Sequence, residues 1–118
     1  MNKQQLDEIT NRLLMYNKDD NYKIIYKLEK HVATHDFMWC PPYQDNTVKV
    51  VFFIATYKNK FCIRLLAHGA DDTMVAKEKM SEDIYVVLNI CDKYIKFYNN
   101  IPDNVSVNYF LKNGFKYD

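Results

Sequence analysis

Only two glycines, Gly69 and Gly114, occur in the 118 residues, and that shortage excludes several function classes at once. Phosphate-cradling loops need several positions that tolerate positive φ and close backbone approach. Neither a Walker loop nor a dinucleotide-binding fingerprint can be built from two glycines. The three cysteines, Cys40, Cys62 and Cys91, are widely spaced and form no CxxC pair. A secreted disulfide framework is thereby excluded, and reduced, mostly buried thiols are expected. No apolar run approaches the 18 residues of a membrane span, and the first residues lack the apolar stretch of a secretory signal, so a soluble cytoplasmic protein is expected. Charge of one sign is missing too. Sixteen basic against 15 acidic side chains leave a net charge of +1, which excludes a strongly basic nucleic-acid binder and a strongly acidic mimic of DNA.

What is abundant is apolar and aromatic: 48% hydrophobic residues, ten tyrosines and seven phenylalanines. Lysine outnumbers arginine 14 to two. Together with many Asn and Ile, that bias matches an AT-rich genome, of which phages, other viruses and low-GC bacteria are common sources. A chain of this size buries about two thirds of its surface on folding, enough for one ordinary core without metal or disulfide staples. A single domain spanning residues 1–118 is expected.

Leu6, Ile9, Leu13 and Tyr16 recur at three- and four-residue steps and predict a first amphipathic helix. Ile24, Ile25, Leu28 and Val32 repeat that spacing after Asp19, Asp20 and Asn21, which predicts a second helix to about Thr34, with a strand as the rival because Tyr22, Ile24, Tyr26 and Leu28 alternate. Pro41-Pro42 forces an extended connection. The run VKVVFFIATY at residues 48–57 and its continuation at 61–68 predict an antiparallel hairpin across Lys58-Asn59-Lys60. Within it Phe61, Ile63, Leu65 and Ala67 share one face, and Cys62, Arg64, Leu66 and His68 the other. After Gly69, Asp72 or Thr73 is expected to cap a helix that continues, or restarts at Ser81, through Ile84, Leu88, Cys91, Ile95 and Tyr98. Pro102 breaks the chain, Asp103 or Asn104 caps a last short helix, and Gly114-Phe115 predicts a Schellman stop. The class is therefore α+β, a hairpin-centred antiparallel sheet packed with about four short helices. A two-stranded sheet is marginal alone. Residues 36–40, the Tyr22 segment or another protomer is expected to supply a third strand, and the exposed edge favours a homo-oligomer.

Arg64 is the most informative candidate, because a guanidinium inside an apolar strand needs an anionic partner. Asp83, Asp92 or Glu78 would serve structurally; otherwise an anionic ligand or a partner's carboxylate would. His68, on its face, leads into Asp71 and Asp72 in a loop that joins a strand end to a predicted helix start, a frequent place for ligands. Trp39 and Tyr43 could stack a base. His31 and His35, four residues apart on the predicted second helix, have a spacing that could hold a metal. Only one such cluster exists, so helix-terminal histidines are the plainer reading. Trp39-Cys40-Pro41-Pro42 resembles the redox motif of thioredoxin-like proteins, but Tyr43 stands where that family has its second cysteine, so no internal disulfide can form. Lys93, Tyr94, Lys96, Phe97 and Tyr98 could track a nucleic-acid backbone; lysine stems flanking a core stripe are the commoner arrangement.

No catalytic constellation stands out, and no cofactor is expected. The expectation is a non-enzymatic binding or inhibitory protein, a phage, viral or mobile-element accessory factor that blocks a host, defence or toxin protein. The alternatives are an oligomeric protein sequestering a small anionic, nucleotide-like ligand, and a small hydrolase or metal-dependent enzyme.

Overall fold

In the computed structural model, residues 2–16, 21–34, 47–69 and 73–118 are described. Along them run α1 (Asn2–Leu14), β1 (Lys23–Thr34), β2 (Thr47–Tyr57), β3 (Lys60–Gly69), β4 (Met74–Ser81), α2 (Ile84–Asn99), β5 (Asn104–Val105), α3 (Val107–Lys112) and β6 (Lys116–Tyr117). The strands form one mixed sheet in the order β5-β1-β2-β3-β4-β6. β1 to β4 are an antiparallel meander; β5 joins β1 in parallel at Ala33 and Thr34, and β6 joins β4 at Val75 and Ala76. The α+β class stands. Among the described residues, however, six strands replace the expected two or three, and three helices replace about four.

The hairpin lies at the centre, as its β-branched and aromatic run predicts. Lys58 and Asn59 take positive φ, 50° and 68°, the mirror-image turn whose twist matches that of the strands it joins. Val48, Val50, Phe52 and Ile54 of β2 and Ile63, Leu65 and Ala67 of β3 are fully buried. Against this face lie Ile9 and Leu13 of α1 and Val87, Cys91, Tyr94, Ile95 and Tyr98 of α2. Each such side chain taken out of water contributes about 1.5 to 3 kcal/mol. The two helices are antiparallel: α1 ends, and α2 begins, beside the β2–β3 turn, while Asn99 Nδ2 donates to Gln5 Oε1 (2.9 Å) at the opposite end.

Of the two alternatives for the Tyr22 segment the strand is the one found, so that segment supplies the third strand, and the helix expected directly after Gly69 is also a strand. Residues 23–33 pair with β2, with a bulge at Ile25 between Ile24 and Tyr26. The bulge buries both Ile25 and Tyr26, which blurs the period-two alternation. Lys30 blurs it further, because its register partner Val50 lies on the helix-covered face. Its stem crosses the core edge so that Nζ donates to the Tyr98 carbonyl (2.5 Å) and sits 4.4 Å from the Tyr98 ring centroid. That carbonyl belongs to the last turn of α2, where a cation is favoured. Residues 74–81 form β4, so neither Asp72 nor Thr73 caps a helix there. α2 starts at Ile84, and the Asp83 carboxylate accepts from Tyr85 N–H (2.9 Å). β4 reads as polar because it is an outer strand, and Lys77, Glu78 and Lys79 are residues that deter stray pairing along an edge.

At the C-terminal end, β5 occupies Asn104 and Val105, so the last helix follows Ser106 rather than Asp103 or Asn104. Its stop is as expected. Gly114 has φ +90°, Gly114 N–H bonds the Leu111 carbonyl (3.3 Å), and Phe115 N–H bonds the Phe110 carbonyl (3.1 Å), the paired bonds of a Schellman motif. Phe115 thereby packs on Phe110 at 5.1 Å between centroids and on Phe97 at 5.4 Å. Cys62 and Cys91 are free thiols; Cys40 lies outside the described residues. Among the described residues no helix is long and apolar enough to cross a membrane.

Candidate functional site

The register lays four side-chain rows across the sheet face that the helices leave open. From the β2–β3 turn outward these are Ile24-Ala55-Cys62-Met80, Lys27-Phe53-Arg64-Glu78, Glu29-Val51-Leu66-Ala76 and His31-Lys49-His68-Met74. Arg64 and His68 do share this face, two rows apart. The guanidinium of Arg64 pairs with the carboxylate of Asp118, not with Asp83, Asp92 or Glu78. Glu78, its neighbour in the row, instead accepts a hydrogen bond from Cys62 Sγ (3.0 Å). Asp118 reaches Arg64 because β6 returns the chain along β4, which local sequence could not show.

His31 is on a strand, so the helical i, i+4 geometry assumed for it and His35 does not exist. His31 and His68 occupy one row with Lys49 of β2 between them, their backbones two strand spacings or about 10 Å apart. The Lys49 ammonium is 3.1 Å from Glu29. Among the described residues no group of three His, Cys, Asp or Glu side chains could hold a metal ion. Trp39, Tyr43, Asp71, Asp72 and His35 lie outside the described residues, as do Pro41 and Pro42. The loop between His68 and Thr73 joins two strands, with Gly69 N–H bonded to the Thr73 carbonyl (2.7 Å), rather than a strand and a helix.

A different surface stands out at the β2–β3 turn. Nine large apolar side chains among the described residues are exposed, and the topology brings eight of them to this one end. Leu14 (67% exposed) ends α1 and Met15 (80%) follows it; Tyr85 (84%) and Val86 (45%) lie in the first turn of α2; Tyr22 precedes β1 and Ile24 is its second residue; Tyr57 ends β2 and Met80 is next to last in β4. A cleft of about 420 Å³ opens at the same end, lined by their chain neighbours Leu13, Tyr16 and Ile84 with Asn59, Phe61 and Glu82. The Tyr16 and Phe61 rings meet edge to face at 5.7 Å on its wall. The eight side chains average about 60% exposure. At roughly 200 Å² for a large side chain, their summed exposed area is on the order of 900 Å².

The sequence carried a signal for this surface that the stripe analysis passed over. Ile84-Tyr85-Val86-Val87-Leu88 is an unbroken apolar run within a helix, and Leu13-Leu14-Met15-Tyr16 is one that runs off the end of α1. A helix with one core face cannot bury four or five consecutive side chains. Comparison with family models, curated proteins and solved structures finds no match to the chain.

Proposed function

We propose that this domain is a non-enzymatic protein-binding module that acts by occupying a partner's surface, and that its contact surface is the end formed by the β2–β3 turn, the C-terminus of α1 and the N-terminus of α2. The observation that carries the reading is the convergence at that end of eight exposed large apolar side chains. Their combined area matches the roughly 800 Å² that each partner contributes to an interface of standard size. Tyr, Met and other large side chains are the residue types that interfaces concentrate at their centre. An inhibitory role follows if the covered surface of the partner is its working one, and an accessory factor of a phage, virus or mobile element is a natural setting for such a protein.

The test is substitution at Met15 and Tyr85, which are 80% and 84% exposed and so can change without disturbing the core. Met15→Asp with Tyr85→Asp should weaken association with the cellular partner at least tenfold, as loss of central apolar anchors does, while Lys112→Asp at the remote end leaves it intact. Equal association of both variants would refute the reading.

Self-association through β1 is a further part of the proposal. β5 covers the outer edge of β1 only at Ala33 and Thr34, so residues 23–32 carry no strand on that side among the described residues. A second copy can add there antiparallel about a twofold axis. Side-chain parity then allows only registers in which one residue faces itself. Centring on Lys27 or on Glu29 would oppose like charges; centring on Leu28 sets Lys27 against Glu29 of the partner subunit, and Tyr26 against Lys30 of the partner subunit.

A further inference from the structure

On the side of β4 the seam between helix and sheet is not closed by apolar side chains. Ile63 and Leu65 of β3 are fully buried in the core that α2 covers, and their register partners on β4 are Lys79 and Lys77, so both lysines stand on the helix-covered face. Val75 precedes them on that face and is fully buried. On α2, Ile90, Lys93, Tyr94 and Phe97 recur at the three- and four-residue steps of one helical stripe. The two sets meet across a cleft of about 200 Å³, whose apolar lining is Leu65, Ile90, Tyr94 and Phe97 and whose other lining residues are Lys77, Lys79 and Lys93. The Phe97 ring is fixed by Tyr109 and Phe115, at 5.5 and 5.4 Å between centroids, so this wall is in place before anything binds.

The charge of the cleft is one-sided. Among the described residues no carboxylate lines it. Glu78 stands on the opposite face of β4 and accepts from Cys62 Sγ (3.0 Å), and Asp92 pairs with Lys96 (2.9 Å). Lys77 is committed, because its Nζ donates to the Asn113 carbonyl (2.9 Å) and lies 5.6 Å from the Tyr94 ring centroid. Burial and the like charge of Lys79 lower its affinity for a proton, with no acidic neighbour offsetting them. Lys79 and Lys93 are exposed and enter no ion pair among the described residues. Their ammonium groups, on flexible four-carbon stems, can therefore turn toward an anion at the mouth. An apolar cavity of about 150 Å³ is enough to take up benzene, so one aromatic ring fits this cleft.

We propose that this cleft binds a small aryl-alkyl carboxylate, whose ring lies against Leu65, Ile90 and Phe97 and whose carboxylate, on a short arm, pairs with Lys79 and Lys93 at the mouth. A ring is assigned rather than a plain alkyl chain because Tyr94 and Phe97 offer aromatic walls for edge or offset contact. A carboxylate is assigned rather than a phosphate because one charge is less costly than two to bring beside an apolar wall. The ligand gives inward-facing lysines on β4 a purpose that edge protection does not, since edge protection concerns the outer backbone and not the helix-covered face. It also unites Lys93, Tyr94 and Phe97 in one site. The cleft shares no residue with the eight apolar side chains of the turn end, so either reading can fail without the other.

The experiment is titration of the full chain with phenylpropionate at constant ionic strength, followed by the methyl chemical shifts of Ile90 and Leu65. Three reference ligands each keep part of its structure: acetate has the charge without the ring, phenylpropanol the ring without the charge, and phenylpropylamine the ring with the opposite charge. The expected result is saturable movement of both sets of methyl signals, as the current of an adjacent ring produces. Phenylpropionate should bind at least about tenfold more tightly than phenylpropanol, the range for bonds to a charged group, and neither acetate nor the amine should give a saturable shift. Lys79→Glu combined with Lys93→Glu alters only two exposed side chains and should reverse the order, so that the amine binds more tightly than the carboxylate. No saturable methyl shift with phenylpropionate, equal binding of the carboxylate and the alcohol, or an unchanged order in the double variant would overturn the proposal.

Discussion

Replacing Cys91 by alanine should flatten the protein's loss of stability in alkali. Cys91 is completely buried against the sheet, and desolvation of the thiolate pushes its thiol from 9.0 up to about 12. In the unfolded chain the thiol releases its proton near the ordinary value. Between about pH 9 and pH 12 the folded state therefore holds the proton that the unfolded state has lost, and folding stability falls as pH rises. The contribution is fully present below pH 9 and is lost progressively toward pH 12. A thousandfold difference in proton affinity corresponds to about 4 kcal/mol, of which about 2.7 kcal/mol is lost by pH 11. The assay is urea unfolding followed by far-ultraviolet circular dichroism from pH 7 to pH 11, parent against Cys91→Ala. The variant should begin about 1 to 2 kcal/mol lower at pH 7 because a small cavity replaces the sulfur. The difference should then shrink or reverse by pH 11. Cys62 is also pushed up to about 12 and is common to both proteins; Tyr94 is raised by burial and in part by Cys91, so its own alkaline loss becomes smaller in the variant and adds to the flattening. Parallel curves across that range would refute the buried, protonated thiol.

Three further outcomes follow from the packing. Phe110→Ala, which removes a fully buried ring packed on Phe97, Tyr109 and Phe115, should cost about 3 to 5 kcal/mol in urea unfolding; a loss below 1 kcal/mol would contradict that packing. Gly114→Ala should cost about 1 to 2 kcal/mol from its left-handed backbone, since the added Cβ meets only the Lys77 side chain at 3.4 Å. Leu28→Cys should give a covalent dimer under mild oxidation, with Cα atoms facing across the axis at about 4.5 to 5.5 Å, whereas Glu29→Cys should not; equal cross-linking of the two would remove the proposed register.

The hairpin, the first helix and the Schellman stop were legible because each is written in local chemistry: a β-branched run around a two-residue turn, a stripe at helical spacing, and glycine followed by an aromatic. β1 was left between helix and strand because a bulge at Ile25 and a core-facing Lys30 break both periods. Only the Tyr98 carbonyl, 68 positions along the chain, explains why a lysine is tolerated there. β4 was misread because an outer strand can be charged on both faces. Arg64 was recognised as a residue in need of an anion, yet its partner comes from β6, whose two-residue pairing has no sequence signature. The turn-end surface needed the topology, since its members are scattered from Leu14 to Val86 and meet only when α1, α2 and the strand ends converge.

The most direct test of the protein-binding reading is site-specific photo-cross-linking in the cells that make the protein, with the photoreactive residue at Met15 or Tyr85 and, as a control, at Lys112. The result expected is the same discrete adduct from positions 15 and 85 and none from position 112. Adducts from all three positions alike, or from none, would contradict a dedicated contact surface at the β2–β3 turn.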